Sequence, residues 1–197
     1  MGQGLSGGVM AGVVIDLMAA GITTDIWTHL STLALFSAAG LSVDLVSDVT
    51  AKTGIVDIPR SVLLNASDAV KHVHTFQAPN HANVISRLVN QKHEWVVLES
   101  HLGNFYTVQK RPVTGDVVID MGNCLRAAND VGLKAANRPL HSGETAMLRA
   151  DQTFDVPDDL QIAYVIAWLR KEDPRWAFST ENSRHFTVRL RLALADF

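Results

Sequence analysis

The sequence is poor in cysteine and in positive charge. Cys124 is its one cysteine, so no disulfide can form within the chain, and this usage fits a reducing compartment. The sequence has no pair of CxxC motifs and no HExxH, and its eight histidines are scattered, so we predict neither a metal site nor a cofactor. Acidic residues outnumber lysine and arginine, and the net charge of −3 does not favour nucleic acid as a partner.

Long apolar runs are also missing. The two most apolar segments, Val9–Ala20 and Ile26–Ala39, are shorter than the roughly 18 uninterrupted apolar residues expected of a membrane-spanning helix. No basic region precedes them, which does not favour a secretory signal. We therefore predict a pair of core helices. The alternative is a hairpin that lies on a membrane, although no Lys/Arg-rich polar face supports it.

The residues that are present indicate a single globular domain over residues 1–197. Hydrophobic residues make up 47% of the chain and charged residues 19%, which suits one full core. Residues 1–90 read as mainly helical and form a predicted N-terminal helical layer. Further helices in this part are predicted at Leu41–Thr53, Ser61–His74 and Pro79–Val89.

From Lys92 the pattern changes to that of strands. Alternating apolar residues, separated by turn signals at Gly103-Asn104 and at Pro112–Gly115, indicate an antiparallel meander. Its strands are predicted at His93–Glu99, Phe105–Lys110 and Val117–Asp120. The elements predicted after it are helices at Leu125–Ala136 and Pro157–Arg170 and short strands at Thr145–Leu148 and Trp176. We therefore predict an α+β fold with an antiparallel sheet of about four or five strands.

The stretch from Trp176 to Arg191 predicts a short strand, a cap and a helix. Thr180 is the predicted N-cap, which would place Ser183 in the first turn, at the positive end of the helix dipole. One apolar stripe at helical spacing is formed by Phe186, Leu190 and Leu194. Taken alone, this pattern is that of an ordinary C-terminal helix.

The residues themselves are more specific than their pattern. Asn182-Ser183-Arg184-His185-Phe186, followed by Leu190-Arg191, resembles the Asn-Cys-Glu-His-Phe…Leu-Arg signature of the lecithin:retinol acyltransferase family. The resemblance covers residues 91–197 and implies a permuted papain-like core, in which a nucleophile-bearing helix packs on the sheet. It also implies acyl transfer, in which the nucleophile attacks a phospholipid ester and passes the acyl chain to an amine, an alcohol or water.

The family's nucleophilic cysteine falls on Ser183. Three explanations stay open: an engineered Cys→Ser change, a natural pseudoenzyme that lost its nucleophile, or a true serine nucleophile. A serine hydroxyl cannot be ionised by a helix start as a thiol can. It would therefore depend on a base to accept its proton during attack.

Cys124 is a rival nucleophile, because Asn123-Cys124 is also an Asn-Cys pair. No His-Phe…Leu-Arg follows it, however, and we predict a structural role for it.

His93 and Gln109 are the candidate partners of Ser183. His93, followed by Trp95, resembles the family's His-Trp box, although Glu94 separates the two residues here and one step along a strand moves a side chain to the opposite face. If the face of His93 looks toward Ser183, the resemblance implies that His93 is the general base. The alternative is a strand-end histidine at the surface. Gln109 falls about where the family has a polar residue that orients the imidazole, and the alternative is a glutamine facing solvent.

The N-terminus carries a lipidation pattern. Met1-Gly2-Gln3-Gly4-Leu5-Ser6 matches M-G-x-x-x-[ST], in which Gly2 would be myristoylated, and a Gly-rich leader is the alternative. One myristoyl chain gives only marginal membrane binding, so a second anchor would be needed. The protein would then be cytoplasmic and peripheral, on the cytosolic face of a membrane.

Together these features predict an acyltransferase- or phospholipase-like protein that acts on phospholipid esters through Ser183 and His93. Its partners would be a phospholipid or another acyl donor, and a membrane surface reached through Gly2. Two alternatives stay open: a catalytically silent, membrane-attached interaction protein, and a cysteine peptidase or amidase on the same scaffold.

Overall fold

The computed structural model describes residues 52–80, 91–112, 114–136, 152–176 and 181–197. Several predictions lie outside these residues. They are the helices Val9–Ala20 and Ile26–Ala39, almost all of Leu41–Thr53 and of Pro79–Val89, the strand Thr145–Leu148 and the lipidation of Gly2.

The described residues form eight strands and four helices. The strands are β1 Lys52–Thr53, β2 Val56–Asp57, β3 Val70–Pro79, β4 Lys92–Ser100, β5 Phe105–Lys110, β6 Val117–Gly122, β7 Gln152–Asp155 and β8 Arg175–Trp176. The helices are α1 Arg60–Leu64, α2 Leu125–Ala135, α3 Ile162–Leu169 and α4 Ser183–Ala195. None of these four helices combines the length and the apolar composition that crossing a membrane requires. The fold class is α+β, as the sequence predicted.

Six of the strands form one mixed sheet. Their order is β2-β6-β5-β4-β3-β7, while β1 and β8 pair with each other. β2 runs parallel to β6, whereas the other neighbours in the large sheet are antiparallel. The predicted meander is present as β4, β5 and β6. The prediction of a purely antiparallel sheet is wrong at the β2 edge, where a pairing of two residues is too short to leave a periodic signal in the sequence.

The predicted helix Ser61–His74 is wrong beyond its first turn. α1 ends at Leu64, and the chain then enters β3, which pairs with β4 along its whole length. The valines, threonine and phenylalanine of β3 suit a strand, and pairing with β4 outweighs the weak local helical spacing. A mainly helical N-terminal part is therefore wrong for residues 52–79.

α3 begins later than the predicted helix Pro157–Arg170. Gln161, just before α3, forms a bridge with Ala69, and the carbonyl oxygen of Leu160 accepts from the N–H of Val70. Residues that pair in this strand-like way cannot also enter a helix, so α3 starts only after them.

The sheet buries a core on each face. On the face of α3 and α4, the core includes Val96, Leu98, Tyr106, Val108, Phe186, Leu190 and Leu194. On the face of α2, it contains Phe76, Ala78, Trp95, Val97, Ala128 and Leu133. Successive side chains of a strand point to opposite faces, so the even-numbered residues of β4 meet α4 and the odd-numbered ones meet α2.

Trp95 fills the α2 face and is fully buried. Its indole N–H donates to the Oδ1 of Asn129, 3.2 Å away. α2 comes so close that a Cβ at position 132 would lie 2.3 Å from the Cδ2 atom of the ring. Gly132 therefore sets the distance between α2 and the sheet.

We expect Gly132→Ala to destabilise the protein, although alanine is the better helix former by about 1 kcal/mol. The added methyl group overlaps the buried Trp95 ring, and overpacking of this kind costs about 1–3 kcal/mol. Chemical denaturation measures the change. Trp95→Phe provides the control, because Gly132→Ala should cost less beside the smaller ring. An equal cost in both backgrounds would contradict the contact.

Candidate functional site

Ser183 is the first residue of α4, and only 4% of its surface is exposed. Asn182 caps the helix, because its Oδ1 accepts from the backbone N–H groups of Arg184 at 3.0 Å and His185 at 3.3 Å. The N-cap is thus Asn182 rather than the predicted Thr180. Ser183 lies in the first turn, as predicted, and the predicted apolar stripe of α4 is buried.

The hydroxyl of Ser183 contacts the backbone of β4. Its Oγ accepts from the N–H of Glu94 at 3.3 Å. β4 and β5 begin to pair only at Val96 and Val108, so Glu94 lies beyond the end of their ladder. Ser183 therefore takes the place of a strand partner for this backbone donor.

His93 and Gln109 form a buried pair. The Nε2 of His93 lies 3.0 Å from the Oε1 of Gln109, and both residues are completely buried. Because an amide oxygen only accepts, Nε2 carries the proton and Nδ1 keeps the lone pair. This Nδ1 is buried and has no hydrogen-bond partner among the described residues. Gln109 therefore holds the imidazole in one tautomer, with its basic nitrogen free.

Burial also keeps this imidazole neutral. Desolvation lowers the pKa of His93 from 6.5 to about 4, and the hydrogen bond with Gln109 opposes the shift only in part. The ring stacks on Trp95, with the centroids 5.5 Å apart and the planes 25° from parallel. His93 is thus a neutral core residue at pH 7 and not a strand-end histidine at the surface.

The stacking places the imidazole on the α2 face of the sheet. Trp95 binds Asn129 of α2, and His93 lies on the same side of β4 as Trp95. Ser183 approaches from α4, which packs on the other face. The structure therefore brings His93 and Gln109 together, but no hydrogen bond joins Ser183 to either of them within the residues it describes.

Glu94 is the β4 residue that lies on the α4 side at this level. Its Oε1 is 3.8 Å from the Nε of Arg184, and its side chain is 16% exposed. Glu94 was not among the predicted site residues, although the sequence contains a signal for it. The resemblance expects a histidine directly before the tryptophan, and Glu94 holds that position before Trp95. A carboxylate therefore stands where the resemblance places the base.

Lys110 lies on the α4 side of β5, as Glu94 lies on the α4 side of β4. Its neighbour Gln109 binds His93 on the α2 face, whereas the Nζ of Lys110 donates to the carbonyl oxygen of Asp173 at 3.1 Å and lies 3.7 Å from the Oε2 of Glu181. Desolvation lowers the pKa of this fully buried ammonium group, and the charge of Glu181 opposes the shift. The same alternation that separates His93 from Glu94 thus separates Gln109 from Lys110.

Lys110 belongs to an ion cluster that we define as Lys110, Glu172, Glu181 and Arg189. The guanidinium of Arg189 donates to the carboxylates of Glu172 and Glu181, with 3.0 Å from its Nη2 to the Oε2 of Glu181. Glu181 directly precedes the cap Asn182. The ion cluster therefore ties the start of α4 to β5 and to the turn after α3.

His185 and Cys124 lie at the starts of two helices. His185 lies back against the cap, with its Nδ1 3.0 Å from the Oδ1 of Asn182, and desolvation lowers its pKa. Cys124 is exposed and caps α2, where its Sγ accepts from the N–H of Ala127 at 3.5 Å. In the part of the chain that the structure describes, no group of three or more His, Cys, Asp or Glu side chains is arranged to hold a metal ion.

The buried state of His93 predicts a loss of stability at mildly acidic pH. The unfolded chain binds the proton near the ordinary pKa of 6.5, whereas the folded protein takes it up only near pH 4. Stability is therefore lost as the pH falls from about 6.5 to about 4, by about 2 kcal/mol between pH 7 and pH 5. Denaturation of His93→Gln at these two pH values should show a smaller loss. His101→Gln, which changes an exposed histidine, should match the unmodified protein, and equal pH dependence in all three would contradict the assignment.

Comparison with protein-family models, with curated proteins and with solved structures finds no match for this chain. The family suggested by the motif around Ser183 therefore stays an expectation. A function has to be argued from the contacts of Ser183, His93 and Glu94.

Proposed function

We propose that this protein is catalytically silent and works by binding, as a membrane-attached interaction protein on a permuted papain-like scaffold. The observation that carries the proposal is the alternation along β4. His93 lies on the α2 face, beside Trp95, whereas Glu94 lies on the side of Ser183. The β4 side chain that lies on the side of Ser183 is therefore a carboxylate in an ion pair and not an imidazole.

The described contacts of Ser183 provide no activation of its hydroxyl. A hydroxyl becomes a nucleophile when a base accepts its proton. The Oγ of Ser183 instead accepts a hydrogen bond from the N–H of Glu94, and the Glu94 carboxylate lies beside the guanidinium of Arg184. An ionised carboxylate, with an ordinary pKa of about 4, is also a weak base toward a hydroxyl. We infer that a phospholipid ester bound here is not cleaved.

Acyl transfer from phospholipid esters is the second candidate function, and one observation favours it. His93 has its tautomer fixed by Gln109, and its Nδ1 has no partner among the described residues, which is the state that a general base needs. For this function the imidazole would have to leave Trp95 and reach the Oγ of Ser183. A peptidase or amidase would need the same movement, so one experiment tests these functions together.

A thiol introduced at position 183 tests whether a base reaches it. In a Cys124→Ser background, Ser183→Cys should react slowly with iodoacetamide at about pH 6.5, because the helix start alone, without an imidazole, lowers the thiol pKa only part of the way from about 8.5. Adding Glu94→His should speed the reaction, since a histidine at that position faces the thiol and stabilises its thiolate. Adding His93→Gln should leave the rate unchanged. Mass spectrometry of the labelled protein gives the rates.

The controls separate charge, exposure and base catalysis. Glu94→Gln removes the same charge as Glu94→His and adds no imidazole. Cys124 in the unmodified protein gives the rate of an exposed thiol. If adding His93→Gln slowed the labelling of Ser183→Cys, the result would contradict a catalytically silent protein and establish a base at the site. An acyl adduct on Ser183 after incubation with short-chain phospholipid would establish acyl transfer.

Attachment to a membrane is the other part of the proposal and depends on Gly2, which lies outside the described residues. Myristoylation requires glycine at this position, so Gly2→Ala should move the protein from the membrane to the cytosolic fraction of eukaryotic cells. Gly4→Ala leaves the M-G-x-x-x-[ST] pattern intact and should have no such effect. One acyl chain supplies only marginal affinity, so the protein is expected in both fractions. The measurement is therefore the ratio of the amounts of protein in the membrane and cytosolic fractions. An equal ratio for both variants would remove lipidation from the proposal.

A further inference from the structure

An open groove runs between β7, which ends the order of the described sheet, and the outer side of α4. Its volume is about 750 Å³, within the roughly 300–1,000 Å³ range of small-molecule sites. Its walls include Phe154 of β7 and Val188, Arg191 and Leu192 of α4, and none of the lining residues that the structure describes is acidic.

The floor of the groove is apolar. Phe154 packs partly against the core on the α4 face, while Val188 and Leu192, one helical turn apart, are 43% and 58% exposed. Along α4 the groove extends from Val188 to Ala195, a length of about 10 Å at 1.5 Å per residue. Contact of these side chains with water is unfavourable, so an alkyl chain laid along α4 would be stabilised by covering them.

Arg191 adds one cation to this floor. Arg191 lines the groove, and no carboxylate in the described parts of the chain forms an ion pair with it, whereas Arg184 and Arg189 lie in ion pairs with glutamates. A carboxylate is the planar acceptor that a guanidinium binds best. The charge of the groove therefore complements a ligand with an anionic head.

We propose that this groove binds a medium-chain fatty acid, with its alkyl chain over Phe154, Val188 and Leu192 and its carboxylate on Arg191. One apolar floor suits one alkyl chain, and one guanidinium neutralises one carboxylate. Ser183 takes no part, because it is buried against β4 on the sheet side of α4. The groove is a binding site without chemistry, so it does not depend on whether position 183 is silent.

Isothermal titration calorimetry of the full chain with octanoate tests the site. We expect saturable binding of one molecule per protein. Methyl octanoate, which has the same chain and no charge, should bind at least about tenfold more weakly. Arg191→Gln should weaken binding by about tenfold or more, because the charge-assisted hydrogen bonds are lost. Leu192→Ser should weaken it by about tenfold through the loss of apolar contact.

Two exposed residues elsewhere provide matched controls. Arg126→Gln on α2 and Leu102→Ser in the turn after β4 should both bind like the unmodified protein, and circular dichroism verifies the folding of every variant. The proposal is overturned by an absence of saturable binding, by equal affinity for octanoate and methyl octanoate, or by unchanged affinity in Arg191→Gln. Self-association that Leu192→Ser abolishes, in a protein that binds no fatty acid, would assign the groove to a second copy of the chain instead.

Discussion

The backbone N–H of Glu94 has a side chain of another element, Ser183 of α4, as its hydrogen-bond acceptor. This contact fixes α4 to the sheet. β4 pairs with β3 over its whole length but with β5 only from Val96 onward. The N–H of Glu94 lies beyond the end of the β4–β5 ladder, and the Oγ of Ser183 accepts its hydrogen bond. A buried donor without an acceptor costs about 1–3 kcal/mol, so the start of α4 is held at the strand that contributes to both cores.

The ion cluster holds the same junction from the side of β5. Lys110 comes from β5, Glu181 precedes the cap of α4, and Arg189 lies on α4 itself. Charges attract one another more strongly in a partly buried site than in water. Removing Glu181 would leave the buried ammonium group of Lys110 without its carboxylate partner in the ion cluster, which is more destabilising than the net contribution of an ion pair suggests. The region that the sequence motif marks as a reaction site is thus, in its contacts, the place where β4, β5 and α4 are held together.

The predictable parts of this molecule are those whose signal is local. The turns after β4 and β5 were predictable because Gly103 and Gly115 have positive φ angles of 80° and 79°, which favour glycine. β3 was not, since its structure is decided by pairing with β4 on one side and with β7, which is distant in sequence, on the other. At the site, the sequence identified His93 but not its face. One register step reverses every side chain of a strand, and only the packing of Trp95 against Asn129 fixes that step.

Serine suits position 183 for a reason separate from nucleophilic attack. A hydroxyl oxygen is a good acceptor for the N–H of Glu94, whereas a thiol sulfur is a weak one. Cys124 illustrates the difference at the cap of α2, where its Sγ lies 3.5 Å from the nitrogen of Ala127. A cysteine at 183 would therefore hold the backbone of β4 less well. The contact with β4 therefore favours serine over cysteine at the start of α4, whatever the reactivity of the side chain.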